Sequence, residues 1–154
     1  MIPDPLVSNA SPLIALNQID CLLLLPHLYG SVIVPPAVRR EITPSVGHPT
    51  WIAERSLQQP IDPRVPSMLG AGEREAISLA LEIGVPRIVL DDLRARRRAE
   101  SLGLEVIGTL GILVLAKRQR LIPAVRPFAE ALLDQGFFVS PSVLGDALAS
   151  AGEP

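Results

Sequence analysis

Five positions in this chain carry oxygen-bearing side chains where such groups call for an explanation. Residues 88–100 read IVLDDLRARRRAE: three apolar residues run into Asp91 and Asp92, and Arg94, Arg96, Arg97 and Arg98 follow at once. Glu41 lies in PPAVRREI, where helical counting puts Val38, Glu41 and Ile42 on one face. Glu73 lies in GAGEREAISLALEIG, where Glu73, Ala76, Ile77 and Ala80 share a face and Glu75, Ser78 and Glu82 fall on the polar side. Asn9 closes a first apolar run, Leu6-Val7-Ser8. A carboxylate that continues an apolar stripe is placed where desolvation opposes its charge. Brought to one place, three carboxylates and an amide would repel one another unless a cation joined them. Hard oxygen donors of this kind fit Mg²⁺ or Mn²⁺. Such ions can activate water and stabilise a phosphoryl transition state, and adjacent arginines suit a phosphodiester backbone.

Four of these positions also have a plainer explanation. Glu73 fits a first-turn acid favoured by the helix dipole. Asp92 is a good N-cap for the helix that follows, Asn9 an ordinary turn residue, and Glu41 a surface acid at a helix end. Arg94, Arg97 and Arg98 share the outer face of their helix, as a solvated face offset by Glu100 and Glu105 would, whereas Arg96 falls beside Ala95 and Ala99.

The elements that must position these residues alternate between strand and helix. Strands are expected at Leu6–Ser8, Ser31–Val34, Arg87–Leu90, Glu105–Ile107 and Phe137–Val139. Helices are expected from Ser11 (N-cap, with Pro12 at the first helical position) to Asn17, and over Asp20–Leu28, Pro36–Ile42, Gly72–Ile83, Asp92–Leu102, Gly111–Arg120, Pro123–Gln135 and Ser142–Ser150. Gly84, Gly103 and Gly136 close three of them. Thr43–Leu69, with prolines at 44, 49, 60, 63 and 66, is the loosest region. Alternation of this kind implies an α/β fold with a mainly parallel sheet between two helical layers. Ligands of such sheets bind outside the carboxyl ends of the strands, where Asn9 and the aspartate doublet fall.

Composition narrows the function classes. A chain of 154 residues fits one domain, 1–154. The only aromatic residues are Tyr29, Trp51, Phe128, Phe137 and Phe138, so the core is aliphatic. The net charge of −2 makes any nucleic-acid surface a local patch. Cys21 stands alone, which excludes an internal disulfide and fits a reducing cytoplasm, as a small buried apolar residue. No charged-then-apolar leader opens the chain, and the apolar run Cys21–Leu25 is too short for a membrane span. His27 and His48 lie apart from any nucleophilic arrangement, and Cys and His are too few for zinc.

The segments VSNASPLIAL, SVIVPPAVRREI, GAGEREAISLALEIG, IVLDDLRARRRAESLGLEVIGTLGILVLAK and GFFVS together resemble the PIN-domain superfamily of metal-dependent nucleases, and within it a family of prokaryotic PIN-like proteins. The resemblance implies a three-layer α/β/α sandwich whose acids bind Mg²⁺ or Mn²⁺ and cleave single-stranded or structured RNA. It also implies kinship with VapC-type toxins, many of them dimers, held inactive by a small antitoxin. The family's four acidic positions fall on Asn9, Glu41, Glu73 and Asp91 or Asp92. Asn9 departs from the usual aspartate, and a glutamate at the third position is one methylene longer than the commoner aspartate. Thr109, in GTLG at another strand end, could touch a phosphate or cap a helix.

Three functions remain open from sequence. The first is a metal-dependent endoribonuclease of the toxin type, with a homodimeric assembly and a small antitoxin. The second is a PIN-like module that binds RNA or a partner without cutting, its site weakened at Asn9. The third is another phosphate- or nucleotide-binding α/β domain, although neither G-x-G-x-x-G nor a P-loop follows any strand.

Overall fold

The computed structural model describes residues 4–154. The first three residues, which belong to the expected 1–154 domain and to the opening read for a leader, lie outside them. Strand β1 (Leu6–Ser8) occupies the middle of a five-stranded sheet. It pairs in parallel with β2 (Val32–Val34), with Leu6 opposite Val32. On its other side it pairs with β4 (Arg87–Val89), with Val7 opposite Ile88. β3 (Ile52–Glu54) extends the sheet beyond β2, and β5 (Glu105–Ile107) beyond β4, giving the order β3-β2-β1-β4-β5, parallel throughout. The chain winds outward from β1 to one side, then returns to wind outward on the other. The strand order therefore reverses between β1 and β4, the place where open α/β sheets form their crevice.

Successive side chains on a strand face opposite ways, so each face of the sheet has its own core. Leu6, Val32, Val34 and Val89 pack with α1 (Ala10–Gln18), α2 (Leu24–Tyr29), α3 (Pro36–Val46), α6 (Thr109–Arg118) and α7 (Arg126–Asp134). Val7, Ile33, Ile88 and Leu90 pack on the other face with α4 (Ala71–Ile83) and α5 (Leu93–Ser101). The last helix, α8 (Pro141–Ser150), lies against α6. The result is the α/β/α sandwich with a parallel sheet that the resemblance implies.

Several local expectations change. β3 arises inside the region read as loosest. It is an edge strand in which Ile52 is buried while Ala53 and Glu54 are exposed, so a single apolar residue marks it. Phe137–Val139 forms no strand: Gly136 closes α7, the Phe137 amide donates to Leu132 O, and Phe138 is 89% exposed. α3 runs through Pro44 to Val46. α1 starts at Ala10, which makes Asn9 rather than Ser11 its N-cap and places Ser11 and Pro12 in the first turn. The polar side of α4 is partly covered by other segments of the chain. Glu75 accepts the Ala37 amide at 3.2 Å, Ser78 the Asp62 amide at 3.1 Å, and Glu82 the amides of Gln58 and Gln59. These bonds pin the start of α3 and the proline-rich segment onto α4. Among the described residues, no helix is long and apolar enough to cross a membrane.

Candidate metal and nucleic-acid site

One convergence of predicted residues is organised around a glycine. A Cβ built on Gly72 would lie 2.9 Å from Asn9 Oδ1, 3.3 Å from Glu41 Oε1 and 3.3 Å from Val38 Cγ2. Oxygens from the end of β1 and from α3 thus meet over the first turn of α4. Asn9 is only 7% exposed, and although it is the N-cap of α1, its side chain makes no capping bond there. Its amide is left free to face Gly72. Glu41 is exposed, so the continuation of the apolar stripe seen in sequence ends at the rim rather than in the core.

Glu73 follows Gly72 and is half-buried. Its Oε1 accepts the Gly70 amide at 3.0 Å, so it caps its own helix as a first-turn acid should. Even so, its pKa is raised: burial contributes most, the Gly70 hydrogen bond opposes it, and the negative charges of Asp92 and Glu41 raise it further. Glu73 therefore stands within electrostatic reach of two other acids from two other elements.

The aspartate doublet divides. Asp91 turns towards the start of α6, where Oδ1 accepts the Thr109 amide at 2.8 Å and Oδ2 the Thr109 hydroxyl at 2.6 Å. Burial raises its pKa, against those two hydrogen bonds and the nearby Arg96 guanidinium. Arg96 packs beside Gly108, where a Cβ would collide with Arg96 Nη1 and lie 3.0 Å from Asp91 Oδ1. Thr109 is fully buried behind Asp91, and its hydroxyl is engaged there. Asp92 turns the other way. It is exposed and caps α5 by accepting the Ala95 amide at 3.0 Å. Its charge is the one that reaches Glu73. Arg94, Arg97 and Arg98 are exposed on α5, and Ala95 and Ala99 are buried beneath them.

The donors that meet here are hard oxygens under like-charge pressure, a set that fits a divalent hard cation. The acids are not drawn into a closed cage: among the described residues, no three Asp, Glu, His or Cys side chains stand close enough to hold a metal as they are. Two clefts, of about 380 and 290 Å³, share Leu121 and Ile122 and lie beyond the C-terminal end of α6. That helix starts beside the acids and runs away from them, so both clefts belong to the opposite edge of the sheet and contain none of these groups.

Sequence reading passed over three residues here. Gly72 was read only as the start of a helix and Gly108 drew no attention, although each approaches a candidate site residue closely. Arg74 drew no attention in sequence, and its Nε is buried without a partner.

No curated protein and no solved structure matches this chain. A family profile described as PIN domain (DUF3368) matches residues 5–153. PIN domains are nuclease-type folds that generally use divalent metal ions and bind RNA. With the profile covering nearly the whole chain and the sheet order and strand-end acids already described, the protein belongs to the PIN-domain family.

Proposed function

We propose that residues 1–154 form one domain acting as a metal-dependent endoribonuclease, the toxin-like member of a toxin–antitoxin pair. The observation that carries this reading is Glu73, held half-buried between the charges of Asp92 and Glu41 while Asn9 and Glu41 oxygens meet over Gly72. In this reading Glu41, Glu73 and Asp92 are the anionic ligands of Mg²⁺ or Mn²⁺, and Asn9 adds a neutral oxygen. When bound, such an ion supplies Lewis-acid polarisation of a phosphoryl group and acidifies a water. Asp91 is a positioning residue that fastens the end of β4 to α6 through Thr109. Arg94, Arg97 and Arg98 carry the RNA backbone, and Arg96 steadies Asp91. A homodimer and a small antitoxin are the partners this role brings with it, in a reducing cytoplasm that the lone buried Cys21 suits.

A second reading has its own support. Asn9 removes one negative charge from the donor set, and the acids stand open, as expected of a module that binds RNA without cutting it. RNA cleavage assays separate the two. The enzyme reading expects cleavage of single-stranded RNA with Mn²⁺, none in EDTA, and faster cleavage by Asn9→Asp because the hard cation gains an anionic ligand. Glu73→Ala should abolish turnover. A silent native chain that still binds RNA favours the binding module, and full activity in EDTA would refute both metal-based roles.

A further inference from the structure

We propose that Glu75 is a positioning residue of the metal site. Its bond to the Ala37 amide sets the register of α3 on α4 and so holds Glu41 over Gly72. The inference rests on the metal-dependent reading above and adds to it a residue that touches neither metal nor RNA.

No ion pair fixes the Glu41 carboxylate. It is exposed, and no lysine, arginine or histidine pairs with it among the described residues. Its place over Gly72 therefore depends on where its helix lies. α3 packs against α4, and two contacts about one turn apart define how. Glu75 Oε1 accepts the Ala37 amide at 3.2 Å. A Cβ on Gly72 would meet Glu41 Oε1 and Val38 Cγ2, both at 3.3 Å. Ala37 and Glu41 are four residues apart on α3, and Gly72 and Glu75 three apart on α4, so each pair shares a face of its helix. The bond and the close approach are thus successive steps of one seam between the helices. Loss of the first frees the second to shift, and metal ligation tolerates displacements of only about 0.2 Å.

The cap itself comes from far along the chain. The first amides of a helix lack partners within it, and a serine, threonine, aspartate or asparagine just before the helix commonly serves them. α3 has Pro35 there, which makes no capping bond, and Pro36 follows, which has no amide hydrogen. Ala37 carries the first amide that needs a partner, and a carboxylate 38 residues further on supplies it. A local cap would serve α3 alone. This one serves it only when α3 is in register with α4. Glu82 makes bonds of the same kind from the same helix, to the Gln58 and Gln59 amides, but the segment it holds carries none of the candidate ligands.

The test is Mn²⁺ titration calorimetry on the full chain, beside thermal melts without metal. Glu75→Asp keeps the charge but is one methylene too short for the Ala37 amide. Glu75→Gln keeps the reach and an oxygen that accepts. Glu75→Ala and Glu75→Asp should each lose about tenfold in Mn²⁺ affinity, as the loss of an outer partner of a ligand does, while Glu75→Gln stays within about twofold of the native chain. Glu82→Ala should lower the melting temperature and leave Mn²⁺ affinity unchanged. Glu75→Asp and Glu75→Gln decide the question if Glu75→Ala fails to fold. Native affinity in Glu75→Asp overturns the proposal, because the bond is then dispensable. Lost affinity in Glu75→Gln overturns it too, because the site then needs the charge rather than the reach. An equal loss in Glu82→Ala overturns it as well, because α4 is then loosened in general. Each of these results leaves the metal-dependent reading in place. A native chain that binds no Mn²⁺ overturns both.

Discussion

Replacing Gly72 by alanine tests whether the site depends on how closely α4 approaches β1. The new methyl would lie 2.9 Å from Asn9 Oδ1 and 3.3 Å from both Glu41 Oε1 and Val38 Cγ2. Val38 is fully buried and cannot retreat, and Asn9 has little room. Overpacking of this kind costs about 1–3 kcal/mol, while alanine in a helix gains up to about 1 kcal/mol over glycine. With the full helix gain counted, the net change lies between zero and about 2 kcal/mol of destabilisation, a fall in melting temperature of up to about 8 °C for a domain this size. Gly145, in α8, provides the control, because a Cβ there meets nothing within 4 Å. Gly145→Ala should stabilise by about 0.5–1 kcal/mol. The decisive assay is Mn²⁺ titration calorimetry. Metal ligation tolerates displacements of only about 0.2 Å, and the clash pushes on the oxygens of Asn9 and Glu41 together. Gly72→Ala should lose about tenfold or more in Mn²⁺ affinity, and Gly145→Ala none. If Gly72→Ala gains stability as Gly145→Ala does and binds Mn²⁺ like the native chain, the reasoning is refuted.

The doublet should separate by phenotype. Asp91→Ala leaves the buried Thr109 hydroxyl unpaired and removes the carboxylate beside Arg96, so it should destabilise by about 2–4 kcal/mol in thermal melts. Asp92→Ala should cost about 1 kcal/mol as a lost cap yet remove Mn²⁺ binding; the reverse pattern would exchange their roles. Glu73 has a raised pKa in the metal-free fold, so its stabilising contribution is present below its unfolded pKa, where it is protonated, and is lost as pH rises through the folded value. Melting temperature against pH should therefore show Glu73→Gln more stable than the native chain at neutral pH without metal, and an unchanged curve would contradict this. Glu153 behaves oppositely. Its carboxylate accepts the Val125 and Arg126 amides and pairs with Lys117, which holds its pKa at about 2 against an ordinary 4.5. Its contribution is complete above the unfolded value and fades as pH falls towards 2, so Glu153→Gln should flatten the acid limb of the same curve.

Parts of the fold were legible because burial leaves a continuous mark. β1, β2 and β4 are covered on both faces, and their Val and Ile runs stand out in sequence. β3 is an edge strand with one buried side chain, so nothing periodic announces it. Phe137–Val139 has the composition of a strand but no neighbouring strand to pair with, and composition alone cannot supply one. The polar face of α4 was misleading for a related reason. Glu75, Ser78 and Glu82 are polar because backbone amides of α3 and the proline-rich segment dock on them, and a pattern of polar residues does not say whether water or backbone lies opposite.

The site follows the same logic one level down. Glu73 was visible because it interrupts an apolar stripe, and Asn9 because it ends a buried strand. The aspartate doublet could not be resolved in sequence, yet its division has a simple cause. Successive residues leaving a strand tend to point to opposite sides, in keeping with Asp91 bonding Thr109 while Asp92 caps α5. Which of them faced the site depended on where α4 and α6 pack relative to β4, a tertiary fact. α6 begins at Thr109 on one side of the doublet, and α4 presents Glu73 on the other. The inner carboxylate meets a helix start with a hydroxyl and becomes a structural bolt. The outer one stands within electrostatic reach of Glu73, and in the proposed reading a divalent cation joins those two acids and the Asn9 oxygen.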